Sequence, residues 1–147
     1  MISLSQTELP STVAAAAQGA ADLKADQIVV LDVGDVFGIT DHFVIASGQN
    51  NRQVRRIAEE IEAAVKAAGG EGSRRAEGVR EGSWILLDFG PFVAHIFHHE
   101  TRAFYNIEQL WSDVPRVDWV DQLAQVSESS AEDSPGQSPS MSTDRTV

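Results

Sequence analysis

Apolar residues recur along this chain at two periods, and each change of period marks an element. Residues 11–26 are alanine-rich and follow Pro10, a residue suited to the first turn of a helix. Gly19 weakens that helix slightly. Ile28 to Val33 is a short continuous apolar run and predicts a buried strand. Residues 34–41 read as a loop. Phe43 to Ala46 forms a second strand, closed by Ser47-Gly48. Asn50 or Asn51 can cap the next helix by accepting a hydrogen bond from an unpaired amide. In that helix Val54, Ile57, Ala58, Ile61, Val65 and Ala68 repeat at three and four, and Gly69-Gly70 ends it.

The second half of the chain is richer in strand signals. Residues 74–78 predict a short edge strand. Trp84 to Phe89 and Phe92 to His98 predict an antiparallel hairpin across Gly90-Pro91. From Glu100 the period returns to that of a helix, expected over residues 101–111 with Phe104, Ile107, Leu110 and Trp111 on one side. The order α-β-β-α-β-β-β-α predicts an α/β domain: a small mixed β-sheet with helices packed on it. Trp84, Leu86 and Asp88 share one face of their strand, Ile85, Leu87 and Phe89 the other. Both faces therefore need cover.

The pattern lapses after residue 119. From Ser127 onward Ser, Glu, Asp, Pro, Gly and Gln dominate, and such a segment cannot bury enough apolar surface to offset its ordering entropy. We expect a lead at residues 1–10, one domain at 11–119 and an acidic, Ser/Pro-rich disordered tail at 120–147. The 147 residues carry a net charge of -11. The tail holds about -4 of this and the rest of the chain about -7, so acidity belongs to the domain too. That balance disfavours a primary nucleic-acid binder, which needs a concentrated positive face, and suits a basic protein partner. Without cysteine there is no disulfide and no thiolate zinc site. No apolar run approaches the roughly 18–20 residues of a membrane span, and the N-terminus lacks the pattern of a signal peptide. A cytoplasmic protein is expected.

Several residues invite a chemical reading. His95, His98 and His99 beside Glu100 suggest a metal, but strand alternation sets His95 and His99 roughly 13 Å apart and turns His98 to the other face. Converging ligands are missing, so neither metal nor cofactor is expected. Ser47-Gly48 before a helix is a possible phosphate-holding turn, and Asp88 a possible Mg²⁺ ligand. A nucleotide-dependent transferase using Ser47-Gly48 and Asp88 is thus the enzymatic alternative. It lacks the paired carboxylates such chemistry uses, since Asp88 stands between Leu87 and Phe89 and Asp32 is likewise single. No serine sits in an activated-nucleophile motif. Arg52, Arg55 and Arg56 read as a solvated face, partly paired with Glu59, Glu60 and Glu62. Trp84, Phe104, Tyr105 and Trp111 read as core first and as a docking patch second. A self-interface is a third use for the same aromatics.

The runs Leu31-Asp32-Val33, residues 39–48 (ITDHFVIASG), Asn51-Arg52-Gln53-Val54 and Glu77-Gly78 occur in a recognisable order. They continue into Trp84-Ile85-Leu86-Leu87-Asp88-Phe89-Gly90, Val93-Ala94-His95-Ile96-Phe97, Glu100-Thr101-Arg102, Phe104-Tyr105 and Leu110-Trp111. Over residues 10–115 the chain resembles the bacterial ribosomal silencing factors, also called the Iojap family. Pro91, where the family commonly has an acidic residue, and His98-His99 depart from its pattern, and the tail lies outside the part that matches. The resemblance implies a nucleotidyltransferase-like fold without catalytic carboxylates, and a binding factor rather than an enzyme. It implies binding to the large ribosomal subunit through its protein L-fourteen, a block to joining of the small subunit, and repression of translation under nutrient limitation. It further implies a homodimer, and Trp84, Asp88, His95 and Tyr105 as candidate partner-binding residues.

Overall fold

The computed structural model describes residues 9–119. The elements run in the order α1 (Ser11–Asp22), β1 (Asp26–Asp32), α2 (Gly34–Phe37), β2 (His42–Gly48), α3 (Asn51–Ala67), β3 (Arg75–Glu77), β4 (Trp84–Asp88), β5 (Phe92–His98), α4 (His99–Tyr105) and α5 (Ile107–Leu110). The strands form one five-stranded mixed sheet in the order β1-β2-β5-β4-β3. Only β2 and β5 run parallel; the other neighbours are antiparallel. The expected lead and tail fall almost wholly outside the described residues.

Alternation along the strands divides the core in two. On one face Val30, Val44, Ala46, Ile85, Leu87, Phe92, Ala94 and Ile96 pack against α1 and α3. Val54, Ile57, Ala58, Ile61 and Val65, the apolar stripe read from the sequence, are the buried positions of α3. Asn50 caps that helix, accepting from the Gln53 amide at 2.8 Å. Gly19 has a packing reason: a side chain there would press on Ala64 and on the Glu60 backbone. On the other face Leu31, Val33, Phe43, Ile45, Phe97 and Val114 are buried, with Trp84, Ile107 and Trp111 partly so. The cover on this side is thin: α4, α5 and the run to Val114.

Three expectations change. The first helix ends at Asp22 rather than residue 26, because Lys24 takes a positive φ of 63° before β1 begins at Asp26. The segment after β1 contains the helical turn α2. The last helix, expected to be continuous over residues 101–111, is broken at Asn106, whose left-handed φ of 48° ends α4 and starts α5. Asparagine tolerates that conformation better than other non-glycine residues. The break also overturns the single apolar side expected for that helix: Phe104 and Leu110 are each 79% exposed, while Ile107 and Trp111 pack on the sheet.

Both sheet edges are short or covered. Beyond β1 the chain returns antiparallel through residues 115–117, with a bridge between Leu31 and Arg116, the Asp32 amide donating to the Pro115 carbonyl and the Val117 amide to that of Val30. At the other edge β3 has three exposed residues, Arg75 paired with Glu77 at 3.1 Å.

Candidate functional site: an aromatic docking face

Trp84, at the start of β4, is set by register opposite Phe97, and His95 lies diagonally across on the same face. Gly78, with φ of 78°, lets the preceding loop pass against the Trp84 carbonyl, where any side chain would collide. The Trp84 ring lies 4.8 Å from Phe97 and 5.0 Å from Tyr105. Phe104 meets Tyr105 edge-on at 5.0 Å. His95 packs edge-on against Phe43 at 5.0 Å, and Phe43 against Trp111 at 5.3 Å. These contacts make one aromatic row from Trp111 through Phe43, His95, Trp84 and Tyr105 to Phe104. Its interior is closed, while Tyr105 and Phe104 are open to solvent.

His95 is only 7% exposed. Its Nδ1 accepts a hydrogen bond from the Trp84 indole Nε1 at 3.1 Å, so the ring is neutral with its proton on Nε2. Burial disfavours the imidazolium and lowers the pKa from the ordinary 6.5 to about 4. Asp88, the fourth sequence candidate, shares the face of Trp84 but lies at the opposite end of β4. Its Oδ1 accepts from the Gly90 amide at 2.8 Å and shapes the β4–β5 turn. The structure thus brings Trp84, His95 and Tyr105 together and leaves Asp88 on the rim.

The part of this site that the sequence reading missed is a buried arginine. Arg102, 5% exposed, grips Glu108 with two hydrogen bonds, Nε to Oε1 at 3.0 Å and NH2 to Oε2 at 2.8 Å. Its NH1 donates to Ser47 Oγ at 2.6 Å and to the Asp26 carbonyl at 3.4 Å. The Arg102 bond holds the Glu108 carboxyl below its usual range. This clamp spans the Asn106 break and fixes α4 and α5, hence Tyr105, against β2. No spacing rule finds it, because a separation of six residues is not a helical pair and becomes one contact only through the break.

The chemical alternatives do not assemble. Ser47 is committed to Arg102, and its neighbouring cavity of about 520 Å³ is lined by Asp26 and Glu108 as well as Arg102, a poor setting for a phosphate. Ser47 and Trp84 both align with Phe97, so Asp88 stands roughly 13 Å further along the sheet, two strands away. The proposed pairing of Ser47-Gly48 with Asp88 in a transferase site is therefore incorrect. His99 belongs to α4 and not to the strand, and His98 caps that helix through Nδ1, accepting from the Glu100 amide at 3.1 Å. Among the described residues no group of three or more candidate ligands is placed to hold a metal ion. The expected Arg–Glu pairing on α3 is absent too: among the described residues Arg52, Arg55 and Arg56 make no ion pair, and Glu62 turns to Ser73 instead.

The described residues form an α/β domain whose single five-stranded sheet has one well-covered face and one thin, aromatic, partly open face. Comparison with known proteins identifies the kind. The family described as ribosomal silencing factor during starvation matches residues 6–146, well beyond the stretch of resemblance read from the motifs and into the tail. The ribosomal silencing factor of Halalkalibacterium halodurans is 40% identical over 97 residues, covering 66% of this chain and 82% of that protein. That of Bacillus subtilis is 37% identical over 103 residues, covering 70% and 86%. The chloroplastic protein Iojap of Zea mays is 33% identical, covering 69% of this chain and 44% of its own length. A crystal structure of a Chromobacterium violaceum protein superposes with a TM-score of 0.68 at 30% identity, covering 71% of this chain and 87% of that one. The chain belongs to the ribosomal silencing factor family, whose members are non-catalytic regulatory proteins. Among its described residues no helix is long and apolar enough to cross a membrane.

Proposed function

We propose that this protein docks on the large ribosomal subunit through its protein L-fourteen, with the Trp84–Tyr105 face as the contact, and sterically blocks joining of the small subunit. It represses translation in this way when nutrients are limiting, acts in the cytoplasm, and forms a homodimer off the ribosome. The observation that carries the reading is the contact of a half-buried Trp84 with an exposed Tyr105, which in turn meets an exposed Phe104. Aromatic anchors set beside a closed core are what binding hot spots use. The net charge of -11 supports a basic partner, because complementary charge speeds encounter. Asp88 lies on the rim of the same face and offers its second carboxylate oxygen to that partner.

The test is subunit joining followed on sucrose gradients. The wild-type chain is expected to reduce the joined-ribosome peak and to co-sediment with large subunits. Trp84→Ala, once circular dichroism has verified that the variant folds, is expected to lose at least tenfold in binding, a hot-spot-sized effect. Undiminished co-sedimentation of that variant would remove the aromatic face from the proposal.

A further inference from the structure

Burial of an imidazole between Phe43 and Phe97 is an expensive choice for a core position. The ring costs desolvation, and among the described residues its one hydrogen bond is the indole of Trp84. A phenylalanine or leucine would suit the apolar surroundings better. What the histidine supplies and an apolar residue cannot is an acceptor aimed at Trp84 Nε1. Trp84 is the one member of the row that is half-buried by the sheet and also touches the exposed Tyr105. A tryptophan in that place is held by Phe97 on one side and Tyr105 on another, contacts that resist displacement but direct no rotation of the ring. The hydrogen bond directs it.

We propose that His95 is the positioning residue of the docking face, its Nδ1 fixing the Trp84 indole in one orientation before the partner arrives. The inference rests on the docking role proposed above and adds to it a cause of affinity that contact area alone does not supply. A side chain already ordered in the free protein loses less freedom on association. His95 itself, being buried, need not touch the partner. The acceptor also satisfies the indole N–H, so the tryptophan presents its remaining apolar edge rather than an unpaired donor.

The experiment compares His95→Phe, which keeps an aromatic ring without an acceptor, with His95→Asn, whose amide oxygen can occupy the place of Nδ1. His95→Leu stands in if His95→Phe does not fold. All are made in the full chain. Two quantities are read: the order parameter of the Trp84 indole N–H by ¹⁵N relaxation in the free protein, and the affinity for purified large subunits. His95→Phe is expected to keep its fold, lower the indole order parameter and weaken binding about tenfold, the size of one side chain's ordering cost. His95→Asn is expected to restore both. An unchanged indole order parameter in His95→Phe, or equal weakening in both variants, overturns the positioning role. If the order parameter falls while binding holds, His95 fixes the indole but docking does not use it, and the proposal fails in that second half. Failure of the docking reading is seen separately, as full binding by Trp84→Ala.

Discussion

At the scale of single residues, two buried side chains hold the site: a neutral imidazole and an arginine in an ion pair. His95 has a folded pKa of about 4, below its ordinary 6.5, because the imidazolium is poorly solvated where it lies. Between those values the unfolded chain binds more protons than the folded one, so stability from neutral His95 is complete above about pH 6.5 and is lost as pH falls toward 4. Urea unfolding at pH 7 and pH 5 is expected to show a loss on the order of 2 kcal/mol that His95→Phe does not share. Arg102 is the second case. Arg102→Ala strands the Glu108 carboxylate and leaves Ser47 buried without its donor. Breaking such a pair costs roughly 3 kcal/mol, near the low end for buried pairs because Glu108 is partly solvated. Thermal melts check the size, and a variant that keeps its Tm would show the clamp to be dispensable.

At the scale of elements, α3 carries a charge order that opposes its own dipole. It has no acidic residue in its first turn, and Arg52 stands there, with Arg55 and Arg56 one turn on. A helix N-terminus favours negative charge, so Arg52→Glu is expected to raise stability by about 0.3–1 kcal/mol, measured by denaturant melts. The elements themselves were largely legible. The stripe on α3, the β4–β5 hairpin and the edge strand β3 follow from period and punctuation, which are local properties. The broken last helix was not legible, because Asn106 in isolation is compatible with a helix and the left-handed turn is imposed by packing of Ile107 and Trp111 on the sheet and by the Arg102–Glu108 clamp. The site was legible to the same degree. Trp84, His95 and Tyr105 lie in the apolar runs that attract notice, but their convergence depends on the register of β4 against β5, and the exposure of Phe104 and Leu110 on the break at Asn106. Asp88 drew notice as chemistry and turned out to shape a turn.

At the scale of the whole molecule, charge and shape act on different steps. With a net charge of -11, the proposed docking on a basic partner would be steered over distances near the Debye length, about 8–10 Å at physiological salt. Raising salt is expected to slow association of the chain with large subunits while leaving the dissociation rate, set by the aromatic contacts, nearly unchanged; stopped-flow mixing at two ionic strengths separates the two. A dissociation rate that rose as steeply as association fell would place the charges inside the contact instead. The chain's return along β1 has a consequence of a different kind. A bare strand edge on a folded protein invites sheet-to-sheet polymerisation. Residues 115–117 seal one border with their own backbone bonds, and the other border is a three-residue strand bristling with Arg75 and Glu77. Resistance to edge-to-edge association is thus built into the two margins of the sheet, and opening the sealed margin, for example with Val117→Pro, which deletes the amide that donates to Val30, is the change that would expose it.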